Sequence, residues 1–278
     1  DWLPLRKVSH PFWVIPPVLL TLIPTALVLK QPDLGTSILL IAGGGIDLTP
    51  LVSGGSEASY DAPSPAEQKA ADFSAAVLGT TETVWRGIFS AQLNRRYDPP
   101  VLVLFSETTA SPCGGASGAT GPFYCPADSK AYLDTAFFAT LQQALGARGD
   151  FAAAYVIAHE VAHHVQNELG ILPEVNALRQ RASTAEANAL TVRLELQADC
   201  LSGVYARQVE GLLEPGDIEE ALNAARQIGD DTLQRRAGRV PQPHTFTHGT
   251  SAQRARWFAR GFEGGDVNDC DTFGAARL

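Results

Sequence analysis

Ala152, Ala153, Ala154, Val156 and Ile157 predict an apolar helix, capped by Asp150 and running from Phe151 to about Leu169, and that helix carries His159, Glu160 and His163. Ionisable groups on a helix bound for a core are costly unless they are paired. Such a chain has to fold so that a partner meets them. Positions i and i+4 lie on one helix face, so the two imidazoles grip one cation from the same side. Neutral imidazoles suit zinc and leave its charge available to acidify a water toward a pKa of ~7. Glu160 sits one step round the helix, within reach of that water as a general base. The competing reading, an exposed face with incidental histidines, is disfavoured by the apolar neighbours. His164 points off the metal face and reads as a structural or supporting residue.

A catalytic zinc takes three protein ligands and keeps a fourth position for water. Glu195 in Glu195-Leu196-Gln197-Ala198-Asp199 is the best third ligand, on a second predicted helix. Asp199 lies one turn further on the same face. It is placed to accept the free N–H of a ligand histidine and so set its tautomer; Asp199 as ligand in place of Glu195 is the alternative. Two carboxylates one turn apart repel, which a cation between them relieves. Leu194, Leu196, Ala198, Cys200 and Leu201 are too apolar for a solvated acidic face. The expected cofactor is one Zn2+ per chain, held by His159, His163 and Glu195.

The chain's 278 residues are enough to bury a sizeable core. A net charge of −9 with no run of Lys or Arg argues against nucleic-acid binding. Phe12 to Leu29 contains no charged residue and just reaches the length of a membrane-spanning helix. Arg6, Lys7 and His10 precede it and Lys30 follows. Residues 1–50 therefore read as a membrane anchor region, with a buried core helix as the alternative. Leu34 to Ile46 is too short to span alone. Residues 51–66, rich in Ser, Gly, Ala and Pro, read as a linker, and 67–278 as the zinc-binding domain.

Ser64, Pro65 and Glu67 form a capping box opening a helix that runs, with a break near Gly79, to about Leu93. Val101 to Phe105 predicts a buried strand, 106–122 a loop, and Ala131 to Asp134 a second strand. Helices are expected over 135–145, 185–211, 217–235 (capped through Asp217 and Glu220) and 251–262. The fold class is α+β, mostly helical.

Several long motifs carry a resemblance. GPFYCPAD (121–128), GDFAAAYVIAHEVAHHVQ (149–166), ELQADCLSGVYA (195–206), IGDD (228–231), THGTSAQRARWF (247–258) and CDTF (270–273) resemble the bacterial neutral zinc metallopeptidases. The likeness implies a zincin-like, gluzincin-type catalytic domain with a small sheet behind an N-terminal membrane segment, and a peptide or protein substrate. Hydrolysis of that kind needs a donor to the oxyanion opposite Glu160. His248 is the first choice, with His244 and Tyr205 behind it, and a role in holding the start of the Ser251 helix is the alternative for His248. In zincins an edge strand holds the substrate backbone, and residues 121–132 are expected to supply it, with Tyr124 and Tyr132 as wall or core residues. Residues 10–42, with QPDLGTS at 31–37, separately resemble a fragment of the polytopic rod-shape and cell-division proteins. The expected activity is zinc-dependent peptide hydrolysis. A non-catalytic, membrane-anchored zinc scaffold is the alternative, and an intact Glu160 argues against it.

The basic flank at Arg6 and Lys7 predicts a cytoplasmic N-terminus, with the catalytic domain outside in the cell envelope. That compartment permits disulfides. Cys113 and Cys125 bracket one Gly-rich loop and are expected to pair, leaving Cys200 to join Cys270 beside the Glu195 helix. Four free thiols are the alternative.

Overall fold

Ser64 accepts a hydrogen bond from the Glu67 amide and Glu67 returns one from the Ser64 amide, so the capping box forms and starts helix α1, Pro65–Ala91. The computed structural model describes residues 64–105, 108–117, 121–135, 137, 141 and 149–278. Helix α1 runs unbroken through Gly79, against the break expected there. One glycine costs a helix interior about 1 kcal/mol. The buried stripe of Ser74, Val77, Thr81, Trp85 and Ile88 recurs at helical spacing on both sides of Gly79 and outweighs that cost.

Strands β1 (Val101–Phe105), β4 (Phe123–Cys125) and β5 (Lys130–Asp134) make a three-stranded sheet in the order β1-β5-β4. β1 runs parallel to β5 and β4 antiparallel to it, which leaves β4 on an edge. The stretch expected to be loop instead folds into a hairpin of β2 (Thr108–Ser111) and β3 (Gly114–Ser117). Gly-rich strands lack the apolar alternation that signals a strand in sequence. The Cys113–Cys125 disulfide ties the hairpin turn to β4.

Helix α2 spans Asp150–Glu168 and is buried along most of its length. Its cap is Gly149, at φ 101°, and not Asp150. Asp150 falls in the first turn, where its charge still suits the helix dipole. Helix α3 (Ile171–Arg179), unforeseen in the sequence, leads to α4 (Thr184–Gln208), which opens on a Ser183–Glu186 capping box. The helix expected over 217–235 is two: α5 (Asp217–Gln227) and α6 (Asp230–Arg236). They separate at Gly229, where an added Cβ would lie 2.4 Å from the Ser251 amide nitrogen. The Asp217–Glu220 cap does not form. Gly216 is the cap of α5, and Glu220 accepts from the Phe151 amide at the start of α2 instead.

Helix α7 (Ser251–Gly264), capped by Thr250 and Gln253, lies against α4 at backbone distance. A Cβ on Gly203 would meet the Phe258 carbonyl oxygen at 2.1 Å, and one on Gly261 the Cys200 carbonyl oxygen at 1.9 Å. The Cys200–Cys270 disulfide fastens the C-terminal segment to α4 beside this crossing. Both cysteine pairs are those expected from the sequence. Among the described residues no helix is long and apolar enough to cross a membrane. The apolar stretch Phe12–Leu29, most of the linker and most of the 135–145 helix lie outside the described residues.

Candidate active site

One turn of α2 separates His159 from His163, and their ring centroids are 4.8 Å apart. Helix α4 brings Glu195 between them. Glu195 Oε2 is 3.1 Å from His159 Nε2, and Oε1 is 3.5 Å from His163 Nε2. Four ligands about 2.0–2.1 Å from a tetrahedral zinc are roughly 3.3 Å from one another. The donor set therefore fits zinc in both chemistry and spacing.

The other ring nitrogens are held from behind. His159 Nδ1 is 2.9 Å from Asp199 Oδ1, and His163 Nδ1 is 2.8 Å from Gln166 Oε1. Asp199 is fully buried. It accepts from Arg254 Nε and Nη2, each at 2.9 Å, and from the Tyr155 hydroxyl at 2.5 Å. Its oxygens are thus committed on the far side of His159, and the residues that converge are His159, His163 and Glu195. Burial disfavours a charge on His159, yet Asp199 and Glu195 outweigh it and raise its pKa to about 9. The local field calls for positive charge at this position.

Glu160 lines a cleft of about 630 Å³ that also exposes His159, His163 and Glu195. Burial raises its pKa, with His163 and His159 opposing. On the same cleft lie Phe123 and Tyr124 of the β4 edge strand, with Tyr155, His248 and Arg254.

His248 reaches the cleft from the loop before α7. Asp230 holds that loop by accepting from the backbone amides of Thr247, His248 and Gly249 at 2.8, 2.6 and 2.9 Å. His248 Nδ1 lies 3.1 Å from the Thr247 hydroxyl and 3.4 Å from Asp230 Oδ1, leaving Nε2 without a partner among the described residues. The two fallback donors are elsewhere. Tyr205 is buried against Thr80 at 2.7 Å, and His244 is exposed; neither lines the cleft. His164 serves packing. Its Nε2 donates to the Asp98 carbonyl at 2.6 Å, and its Nδ1 faces the Tyr124 hydroxyl at 3.0 Å. Tyr132 stacks on Phe123 and donates to Asp128, away from the cleft wall.

Tyr155, Gln166, Gln197 and Arg254 are the site residues that sequence reasoning missed. Arginine is almost never fully buried unless paired, so Arg254 in a helix of mixed polarity reads as surface. Gln166, between His163-His164 and Asn167-Glu168, carries no signal of its own in the sequence.

A family model described as "Putative neutral zinc metallopeptidase" matches residues 25–273. The chain is 50% identical over 244 residues to the uncharacterized protein YpfJ of Escherichia coli strain K12, across 85% of this chain and 84% of that one. It is 43% identical over 212 residues to the uncharacterized protein Mb2605 of Mycobacterium bovis, across 72% and 69% respectively. No solved structure matches it significantly. With the match extending over most of its length, this chain belongs to the neutral zinc metallopeptidase family.

Proposed function

We propose that this protein is a zinc-dependent peptidase in which His159, His163 and Glu195 hold one zinc ion and Glu160 is the general base. The observation that carries the reading is the convergence of those three donors in a cleft lined also by Glu160, which has no hydrogen-bond partner among the described residues, and by the β4 edge strand. Zinc held there supplies Lewis acidity, activating water and polarising a carbonyl. The chain's own residues do the rest. Among the described residues the outer edge of β4 pairs with no strand, so an extended peptide adds to the sheet there as a further strand. Glu160 takes the proton of the attacking water as the new C–O bond forms, then delivers it to the amine nitrogen as the C–N bond breaks. Burial lifts its pKa toward the working range such a base needs. His248 Nε2 donates to the oxygen that gains charge during attack. A scaffold that only binds zinc has no need of a carboxylate in Glu160's position.

Purified full-length protein is expected to carry about one zinc per chain. It should hydrolyse an unstructured protein such as casein, lose that activity to a chelator and regain it with zinc. Hydrolysis that survives complete removal of the metal overturns this reading.

On this reading the catalytic domain lies outside the cytoplasmic membrane, anchored by the apolar segment within residues 1–50. Two disulfides in a chain of four cysteines accord with an oxidising compartment. Alkylating intact cells and then analysing the unreduced protein by mass spectrometry is expected to find no labelled cysteine. Four labelled cysteines would place the domain in the cytoplasm.

A further inference from the structure

Two buried glutamines join His163 to the C-terminal segment. Gln197 Nε2 donates to the Cys270 carbonyl at 3.1 Å. Gln166 Nε2 donates to the Leu194 carbonyl at 2.7 Å and to Gln197 Oε1 at 3.1 Å. A backbone carbonyl can only accept, so each of these carbonyls demands an NH2 group opposite it. With the NH2 of Gln197 turned to Cys270, its oxygen faces Gln166. With the NH2 of Gln166 turned to Leu194 and Gln197, its own oxygen faces His163 Nδ1 at 2.8 Å. That oxygen also only accepts. Nδ1 must therefore carry the imidazole proton, and Nε2 keeps a bare lone pair beside Glu195. The reverse tautomer would set a lone pair against the Gln166 oxygen and put a proton where a metal bond is needed.

The far end of this chain is firmly fixed. Cys270 is bonded to Cys200 on α4, and the Thr272 hydroxyl donates to the Arg193 carbonyl at 2.7 Å. Gln166 itself is fully buried, so no water competes for its amide. His159 has a carboxylate, Asp199, in the corresponding place. His163 receives a neutral partner whose orientation is dictated from outside the site.

We propose that Gln166, oriented by the Leu194 carbonyl and by Gln197 of α4, itself fixed by the Cys270 carbonyl of the disulfide-tied C-terminal segment, is a positioning residue that locks His163 in the Nδ1–H tautomer and presents Nε2 to zinc. The inference rests on the zinc site proposed above but not on hydrolysis, and its test therefore reads metal affinity and tautomer. Supporting partners of this kind typically change metal affinity by about 10–100-fold.

The test compares full-length wild type, Gln166→Glu and Gln166→Met by zinc competition against a chromogenic chelator. Gln166→Met keeps the length and removes the acceptor, and is expected to weaken zinc binding by about 10–100-fold. In Gln166→Glu the fully buried carboxyl keeps its hydrogen, donates it to the Leu194 carbonyl in place of the amide NH2 and turns its other oxygen to His163 Nδ1, so this variant should bind at least tenfold more tightly than Gln166→Met. Wild-type zinc affinity in a Gln166→Met protein with both disulfides intact would refute the role. Equal loss in both variants would reduce Gln166 to a packing residue and refute it as well. Long-range 1H–15N NMR of the zinc-free wild type needs no variant to fold. It is expected to show His163 protonated on Nδ1, and a ring protonated on Nε2 but not on Nδ1 would overturn the proposal.

Discussion

Glu160→Gln is expected to lower kcat for peptide hydrolysis by about 10²–10⁴-fold, the usual worth of a positioned general base, while leaving bound zinc unchanged. The amide has the size of the carboxylate but cannot take up a proton from water. The two histidines of the proposed zinc site are braced by Asp199 and Gln166, not by Glu160, so the substitution removes neither brace. Burial already disfavours the ionised form of Glu160, so a neutral side chain there adds no desolvation penalty. Metal analysis and steady-state kinetics on the same sample provide the check. Turnover within about threefold of wild type would remove Glu160 from the mechanism.

Arg254→Leu is expected to destabilise the fold by about 3–5 kcal/mol, because it leaves the Asp199 carboxylate buried without its cation. Burial pushes the Asp199 pKa up, and Arg254, with His159, more than reverses this. Without the guanidinium, Asp199 is driven toward protonation and its grip on His159 Nδ1 weakens, so zinc affinity should fall too. Pairing the change with Asp199→Asn removes both charges. Such a double replacement costs less than the sum of its parts. Urea midpoints for the two single variants and the double variant measure the coupling. An Arg254→Leu protein within about 1 kcal/mol of wild type would show that the ion pair contributes little.

Both results bear on how far the amino-acid order alone specifies this site. His159, Glu160 and His163 were legible because a helix repeats on a short period and an apolar helix makes its polar residues conspicuous. Glu195 and Asp199 were legible for the same reason, one turn apart among Leu and Ala. The cysteine pairs followed from a Gly-rich loop closed at both ends and the remainder that this left. Short-range capping was read well at Ser64 and Glu67 but misread at Asp217 and Glu220. There a carboxylate three residues into α5 serves the first turn of α2 instead. Gly79 looked like a break and is not one, whereas Gly229 is one because Ser251 approaches it from a distant part of the chain.

By itself, then, the order of residues determined the helix that carries His159 and His163, its carboxylate partner helix, the apolar strands β1 and β5, and the family, since each is encoded within a few turns of chain. Only the tertiary structure decided which buried hydrogen-bonding groups meet. Arg254 finds Asp199 and Tyr155 across α7, α4 and α2. Gln166 finds Leu194 and, through Gln197, the tail at Cys270. The physical reason is that helical periodicity says which face of a segment is buried but not what lies opposite it. That is set when α4 and α7 close to backbone contact at Gly203 and Gly261, bringing together side chains that no local pattern relates.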